Sequence, residues 1–436
     1  MYEQDLDGQN FRGTKCQICT GCGRCVSLDG ASAARRGEPS ADERRRLQVV
    51  TTNGPGTLGL LIPSAPIPSH RGERLVTADI GTTTIAAQLY DDKGDIATDY
   101  AGVNPQVMFG ADVLSRIQAA REPEAAGRMR RQALGKLEEA VACFRAHLRP
   151  GESMRMVLAG NTTMVYLLMG YDPAELGRAP FGASHLAAAE TVIGDVPCVI
   201  FPGLSAFVGG DITAGMYACG MRERRELTLL VDLGTNGEMV LGNRERRIAC
   251  ATAAGPAFEG GVNRGVWGAD MIHLLARLKR EGVMDETGLL ADEYFETGVL
   301  IGDVRVTQAA IRAIQLAKGA IGAGIRILMK EYGLREDWQA IDRVVLAGGF
   351  GYYLRPEDAA EVGLLPRELE TKSLAGGNTA LAGALRLGRE LLAREPAEGW
   401  RPPGDIHERL GVGGVEILNL AEHPDFEQMY FQYMDF

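Results

Sequence analysis

The chain has 436 residues, 45% of them hydrophobic and 24% charged, and its formal net charge is −11. That length leaves room for two or three domains with large cores, and the acidic balance argues against nucleic acid or an anionic membrane as a main partner. No apolar run reaches the roughly 18 residues of a membrane span, and Glu3, Asp5 and Asp7 are unlike the start of a signal peptide, so a soluble, cytoplasmic protein is expected.

Residues 1–30 carry Cys16, Cys19, Cys22 and Cys25 as C-x2-C-x2-C-x2-C. Disulfides do not suit such close spacing in a cytosolic chain, and a structural zinc site normally draws on two separated pairs. An iron–sulfur cluster, above all [4Fe–4S], fits better, because Gly21 and Gly23 let the chain wrap a cubane; zinc stands as the alternative. The fourth cysteine follows at x2, not the ferredoxin x3, and no proline comes after it. This leaves open a cluster within one chain or at the interface of a homodimer. Cys143, Cys198, Cys219 and Cys250 stand singly and read as buried small hydrophobes. Residues 31–72 form a connector with Arg35-Arg36, Arg44-Arg45-Arg46 and a proline stretch from Pro63 to Pro68. The arginines could be a docking patch, although a charge run is more often a solvated face. The prolines read as an extended tether.

From residue 73 the pattern becomes α/β. Val76–Asp79 and Ile85–Tyr90 read as strands joined by Gly81-Thr82-Thr83-Thr84, and Gly94–Tyr100 suggests a third. Residues 110–121 and 123–148 have helical composition, and Met156–Ala159 is a strand ending in Gly160-Asn-Thr-Thr163. Gly209–Tyr217 opens a helix that closes a first half, 73–225. The second half, 226–436, repeats the plan: Leu229–Leu233 and Glu238–Gly242 flank Gly234-Thr235-Asn236-Gly237, and Ile248–Ala253 extends the sheet. Gly255–Gly261 is a loop before a helix. Thr307 and Gly333 cap the clearest helix, whose second face carries Gln315, Lys318, Gly319 and Gly322. Such small residues either admit a packed neighbour or make room for a flat base. Val344–Ala347 runs into Gly348-Gly349-Phe350-Gly351, Gly377–Ala384 starts the last long helix, and Val415–Leu418 and Asp425–Phe436 read as a strand and a short helix.

Two strands ending in Asp-x-Gly-Thr, with a third glycine turn behind them, point to a nucleotide held between similar halves. Free N–H groups and threonine hydroxyls after each strand can face phosphate oxygens. Asp79 and Asp232 are then placed to hold Mg²⁺ through its waters. Glu238 orients a water or merely caps a strand end. The six histidines show no ligand spacing.

The layout resembles the acetate/sugar kinase, heat-shock chaperone and actin superfamily (ASKHA), which implies two ribonuclease-H-like halves around a nucleotide cleft. The superfamily's elements correspond in order to Asp79–Thr84, Gly209–Tyr217, Asp232–Glu238, Gly348–Gly351 and Asn378–Ala384. The likeness implies that Gly348, Gly349 and Phe350 approach the adenosine and that Gln315, Lys318 and Gly319 contact it. One branch is similar in more detail, the reductive activators of corrinoid proteins. Its motifs match Asp79–Thr84, Asn104–Gln106 with Gly110–Asp112, Gly160–Met164, Asp232–Glu238, Gly255–Gly260, Gln315–Lys318 and Ala347–Gly351. The similarity spans about residues 73–436 and stops at the N-terminus, where that family usually has a plant-type [2Fe–2S] domain.

The resemblance implies an ATP-hydrolysing activator in which Thr82, Thr83 and Thr235 steady phosphate charge beside Asp79 and Asp232. It also implies a corrinoid-protein partner, reduced from Co(II) to Co(I), and an external low-potential electron donor. Three alternatives remain. One is an activator of a radical dehydratase, another a small-molecule kinase, and the third an ATP-switched clamp whose cysteines bind a zinc staple.

Overall fold

The computed structural model describes residues 65–67, 72–234, 236–255, 257, 268–302, 304–335, 337–394 and 400–436. The four clustered cysteines and the arginine runs of the connector lie outside these residues. The fold is mixed α/β with two six-stranded sheets.

The first sheet begins with a meander: β1 (Glu73–Ile80), β2 (Thr84–Tyr90) and β3 (Ile96–Val103). β4 (Ser153–Gly160) runs parallel to β1, and β5 (Ala189–Ile193) and β6 (Val196–Ile200) complete the order β3-β2-β1-β4-β6-β5. β1 is buried almost throughout, as expected of a central strand covered on both faces. The second sheet repeats the arrangement with β7 (Thr228–Leu233), β8 (Asn236–Gly242) and β9 (Arg247–Ala253). A short hairpin, β10 (Val299–Ile301) and β11 (Val304–Val306), stands apart from it. β12 (Arg343–Ala347) and β13 (Ser373–Gly377) are parallel additions, and β14 (Val415–Leu418) closes the far edge on β9.

The two halves match residue for residue where it matters. Asp79 of β1 lies opposite Ala159 of β4, and Asp232 of β7 lies opposite Ala347 of β12. Helices Val113–Ala119 (α1), Pro123–Arg145 (α2) and Thr162–Met169 (α3) belong to the first half. Helix α4 (Gly210–Ala218) leaves the first sheet, and α5 (Gly268–Arg280) and α6 (Gln308–Tyr332) cover the second. Thr307 caps α6 through the Ala310 amide, and Gly333 ends it in the left-handed region, as the capping pattern predicts. The turn after β12 becomes the short helix α7 (Gly348–Tyr353), followed by α8 (Pro356–Glu361), α9 (Thr379–Leu392) and α10 (Phe426–Gln432).

Helices α4 and α9 cross at glycines. A Cβ on Gly383 would stand 2.1 Å from the Ala214 carbonyl oxygen, and one on Gly215 would stand 2.9 Å from Thr379 Oγ1. Around that crossing α9 buries Ala384, Leu385 and Leu387 with Leu75 and Val157 of the first sheet. α4 buries Ile212 and Met216 with Leu230 and Val345 of the second. Among the described residues, no helix is long and apolar enough to cross a membrane.

Candidate functional site

Both Asp-x-Gly-Thr sequences lead into tight hairpin turns at the same end of their sheets. In the first, Gly81 N–H donates to the Thr84 carbonyl at 2.9 Å. In the second, Gly234 N–H donates to the Asn236 carbonyl at 2.9 Å. Gly81, Thr82, Thr83, Thr84, Gly234, Asn236 and Gly237 therefore lie on or beside these turns; Thr235 is outside the described residues.

The Asn-Pro-Gln block supports the first turn from behind. Buried Asn104 donates through Nδ2 to the Gly81 carbonyl at 2.9 Å, and its own amide donates to the Thr83 carbonyl at 2.8 Å. Gln106 is tied to the Met129 carbonyl, and the buried Arg116 donates to the Gly110 carbonyl. Gly160–Thr163, which reads from sequence as a turn, is a strand-to-helix junction. Asn161 caps α3 through the Thr163 amide, and its own N–H donates to the Ile80 carbonyl. It occupies in the first half the position that Gly348–Phe350 occupies in the second.

Asp79, Asp232 and Glu238 come together, and the structure adds a fourth carboxylate, Asp211. Glu238 lies directly opposite Asp232 in the β7–β8 register. Asp211 lies in the first turn of α4 and accepts from the Ile212 amide. Asn378, which caps α9 with Oδ1, donates through Nδ2 to Asp79 at 2.8 Å. The titration of all four acids is displaced upward. Burial, then the charge of Asp211, lifts Asp79 to about 7 against the opposing Asn378 hydrogen bond. Burial, then Asp211 and Asp79, lifts Asp232 to about 8. Burial raises Asp211 to about 6, and burial with Asp211 and Asp232 raises Glu238 well above the carboxylate range. Among the described residues no basic side chain pairs with any of them. The set is all oxygen and has no basic partner among the described residues, which suits a hard cation that displaces the protons. No three His, Cys, Asp or Glu side chains among the described residues enclose a point at direct ligand distance.

Glycine is required where the backbone closes on this cluster. Gly348 has φ +79, and a Cβ there would meet Asp232 Oδ1 at 2.7 Å and the Leu233 carbonyl oxygen at 2.9 Å. The left-handed residue is thus Gly348; Gly349 next to it is not among the positive-φ glycines, and Phe350 is buried in α7. A Cβ on Gly209 would stand 2.8 Å from Asp211 Oδ1 and 2.6 Å from the Thr162 amide nitrogen.

Gln315, Lys318 and Gly319 lie together on one face of α6. The chain's own tail lies on that face of α6. Gln315 Nε2 donates to the Thr287 carbonyl, and Lys318 Nζ donates to the carbonyls of Tyr433 and Asp435. A Cβ on Gly319 would meet Met434 Cγ at 2.9 Å, and one on Gly322 would meet Tyr433 Cβ at 3.1 Å. The small residues admit a packed neighbour, and both polar ends are satisfied by main-chain oxygens.

Asp211 was the residue that motif reading missed. Its signal is an acid directly after a Gly-Gly pair that starts a helix, which carries weight only once α4 is known to begin at the cleft.

The family model for the RACo middle region matches residues 75–224, and that for the C-terminal domain of RACo, the ASKHA domain, matches residues 226–266 and 261–436. A corrinoid activation enzyme, RamQ, of Eubacterium limosum is 30% identical over 390 residues, covering 73% of this chain and 65% of the relative. The [Co(II) methylated amine-specific corrinoid protein] reductase of Methanosarcina barkeri is 27% identical over 264 residues, 49% of this chain and 46% of that protein. A solved reductive activator for corrinoid, iron–sulfur protein superposes with a TM-score of 0.71 at 30% identity, covering 83% of this chain and 66% of that one. The chain thus spans less than two thirds of the length of each. With matches across both sheets and the helices between them, the chain belongs to the RACo family of corrinoid reductive activators.

Proposed function

We propose that this protein is an ATP-dependent reductive activator that passes one low-potential electron to a corrinoid protein, taking cobalt from Co(II) to Co(I). The observation that carries the ATP reading is the unpaired carboxylate set between two matched hairpin turns. Asp79 and Asp232 would hold Mg²⁺ through its waters, as that ion prefers, with Asn378 fixing the rotamer of Asp79. The turn amides and Thr82, Thr83 and Thr235 would steady the phosphates. Glu238 is buried opposite Asp232 and has a raised proton affinity, which suits orienting an attacking water and taking up its proton. Mg²⁺, when bound, supplies charge neutralisation at the phosphates.

Nucleotide is needed on energetic grounds. For one electron, about 59 mV corresponds to about 1.4 kcal/mol, so a gap of a few hundred millivolts costs several kcal/mol. Binding and hydrolysis can offset that cost if they change the conformation of the complex between steps.

The electron would come from an iron–sulfur cluster on Cys16, Cys19, Cys22 and Cys25, recharged by an external donor; relatives named for corrinoid activation support the partner. The test mixes anaerobic protein with a Co(II) corrinoid protein and a chemical reductant, and follows cobalt reduction by absorbance. Reduction that requires ATP is expected; equal rates without nucleotide would refute the proposal. Iron and sulfide analysis checks the cluster separately, and zinc in their place would favour the clamp.

A further inference from the structure

Residues 281–304 contain seven acids and no lysine or arginine. Within this stretch a cavity of ≈ 540 Å³ opens to solvent, lined by Val283, Asp285, Leu289, Leu290, Asp292 and Phe295 among others. Leu289 is 49% exposed and Phe295 43%, and Leu300 on the following hairpin is 59% exposed. Asp285, Glu286, Asp292, Glu293 and Glu296 stand exposed around them, and none takes part in an ion pair among the described residues. An apolar groove with an unpaired acidic rim fits a short segment that presents arginines beside aliphatic side chains.

The chain carries one: Arg44-Arg-Arg-Leu-Gln-Val-Val50. We infer that this segment docks in the groove, with Leu47 and Val49 against Leu289 and Phe295 and the three arginines on the acidic rim. The tether permits it. The chain is held at Ile67, whose amide donates to the Asp92 carbonyl at 3.1 Å and whose side chain is buried. At about 3.3 Å per residue, the stretch between Arg46 and Ala65 reaches about 60 Å, comparable with the roughly 55 Å breadth of a compact chain of this size. Where the groove lies well inside that reach, the tether holds its segment at an effective concentration on the order of 1 mM, and a local Kd of about 0.1 mM then leaves about nine tenths docked. Docking would tie the C-terminal end of the cysteine segment, through the residues before Arg44, to the second half. The inference is independent of the proposed reaction.

Two measurements on the full chain test it. Trypsin cleavage at Arg44–Arg46, read by mass spectrometry, should be about tenfold slower in the native protein than in the Asp292→Lys/Glu293→Lys/Glu296→Lys variant, since cleavage follows the undocked population. Adding Arg44→Glu, Arg45→Glu and Arg46→Glu to that variant removes the cleavage site, so the swap is read by cross-linking. With Leu47→p-benzoylphenylalanine, irradiation should join position 47 to residues 282–296 of the same chain in the wild-type background. The acidic-to-lysine variant should lose that product, and the charge swap should restore it. Equal cleavage rates would overturn the inference, and so would a cross-link elsewhere or one joining two copies.

Discussion

Replacing Asp232 with Asn separates the folding role of the carboxylate cluster from its functional one. Asp232 titrates near 8 in the fold against an ordinary 3.8, with burial first among the causes and the charges of Asp211 and Asp79 behind it. An acid whose folded pKa is raised binds more protons in the native state than in the unfolded one between those two values. Stability therefore falls as pH rises through that window, by up to about 1.4 kcal/mol per pH unit for one independent group. Asp79 and Asp211 share the site and titrate near 7 and 6, so the true slope is spread over the set. The Asn variant removes one charge and relieves its neighbours. In EDTA its urea midpoint should lie above that of the wild type, with the gap wider at pH 8 than at pH 6. Added Mg²⁺ and ATP should stabilise the wild type and leave the variant unchanged, and ATP hydrolysis should drop by at least about a hundredfold. A variant no more stable than wild type at pH 8 in EDTA would refute the electrostatic reasoning. One that still hydrolyses ATP would remove Asp232 from the site.

Gly348→Ala places a side chain in the left-handed region and against Asp232, so nucleotide affinity should fall at least about tenfold with a stability loss of about 1–2 kcal/mol; calorimetric titration and urea melts read the two separately. Gly319→Val should push away Met434 and Tyr430, raising hydrogen exchange across 426–436 while leaving ATP affinity unchanged; a large loss of affinity would return that face to the nucleotide. Replacing Cys19 and Cys22 together with Ser should abolish corrinoid reduction and spare ATP binding, because hydroxyls replace thiolates poorly on iron; surviving reduction would take the cysteines off the electron path.

The strands and turns at the cleft were legible because the buried runs of β1, β4, β7 and β12 each end at a glycine. A central strand cannot hide a charge, so an aspartate one residue before its end announces a cleft. Glu238 was legible for the same reason, as it follows the second turn directly. Asp211 was not, because an acid in the first turn of a helix is ordinary capping chemistry until the crossing of α4 and α9 brings that turn to the cleft. The α6 face was legible only in part. Gly319 and Gly322 do mark a close approach, but glycine spacing cannot say what approaches, and the occupant lies more than a hundred residues later in the chain.

The site and the path that could couple it to a partner are built from the same two helices. Asp211 stands in the first turn of α4, and Asn378 caps α9 while holding Asp79. Each helix then packs across the interface, α9 onto β1 and β4 of the first sheet and α4 among core residues of the second. At its tightest point no side chain cushions the crossing, because Gly383 meets the Ala214 backbone directly. Backbone-to-backbone contact of this kind tolerates sliding or pivoting better than interlocked side chains do, so the halves can change angle without repacking either core. Neutralising the carboxylates would relax the repulsion between Asp211 and Asp79, which draws together the start of α4 and the end of β1. Gly383→Val should lock or split that crossing. ATP affinity and ATP hydrolysis would then lose their proportion to each other, whereas a purely static scaffold would lose both together or neither.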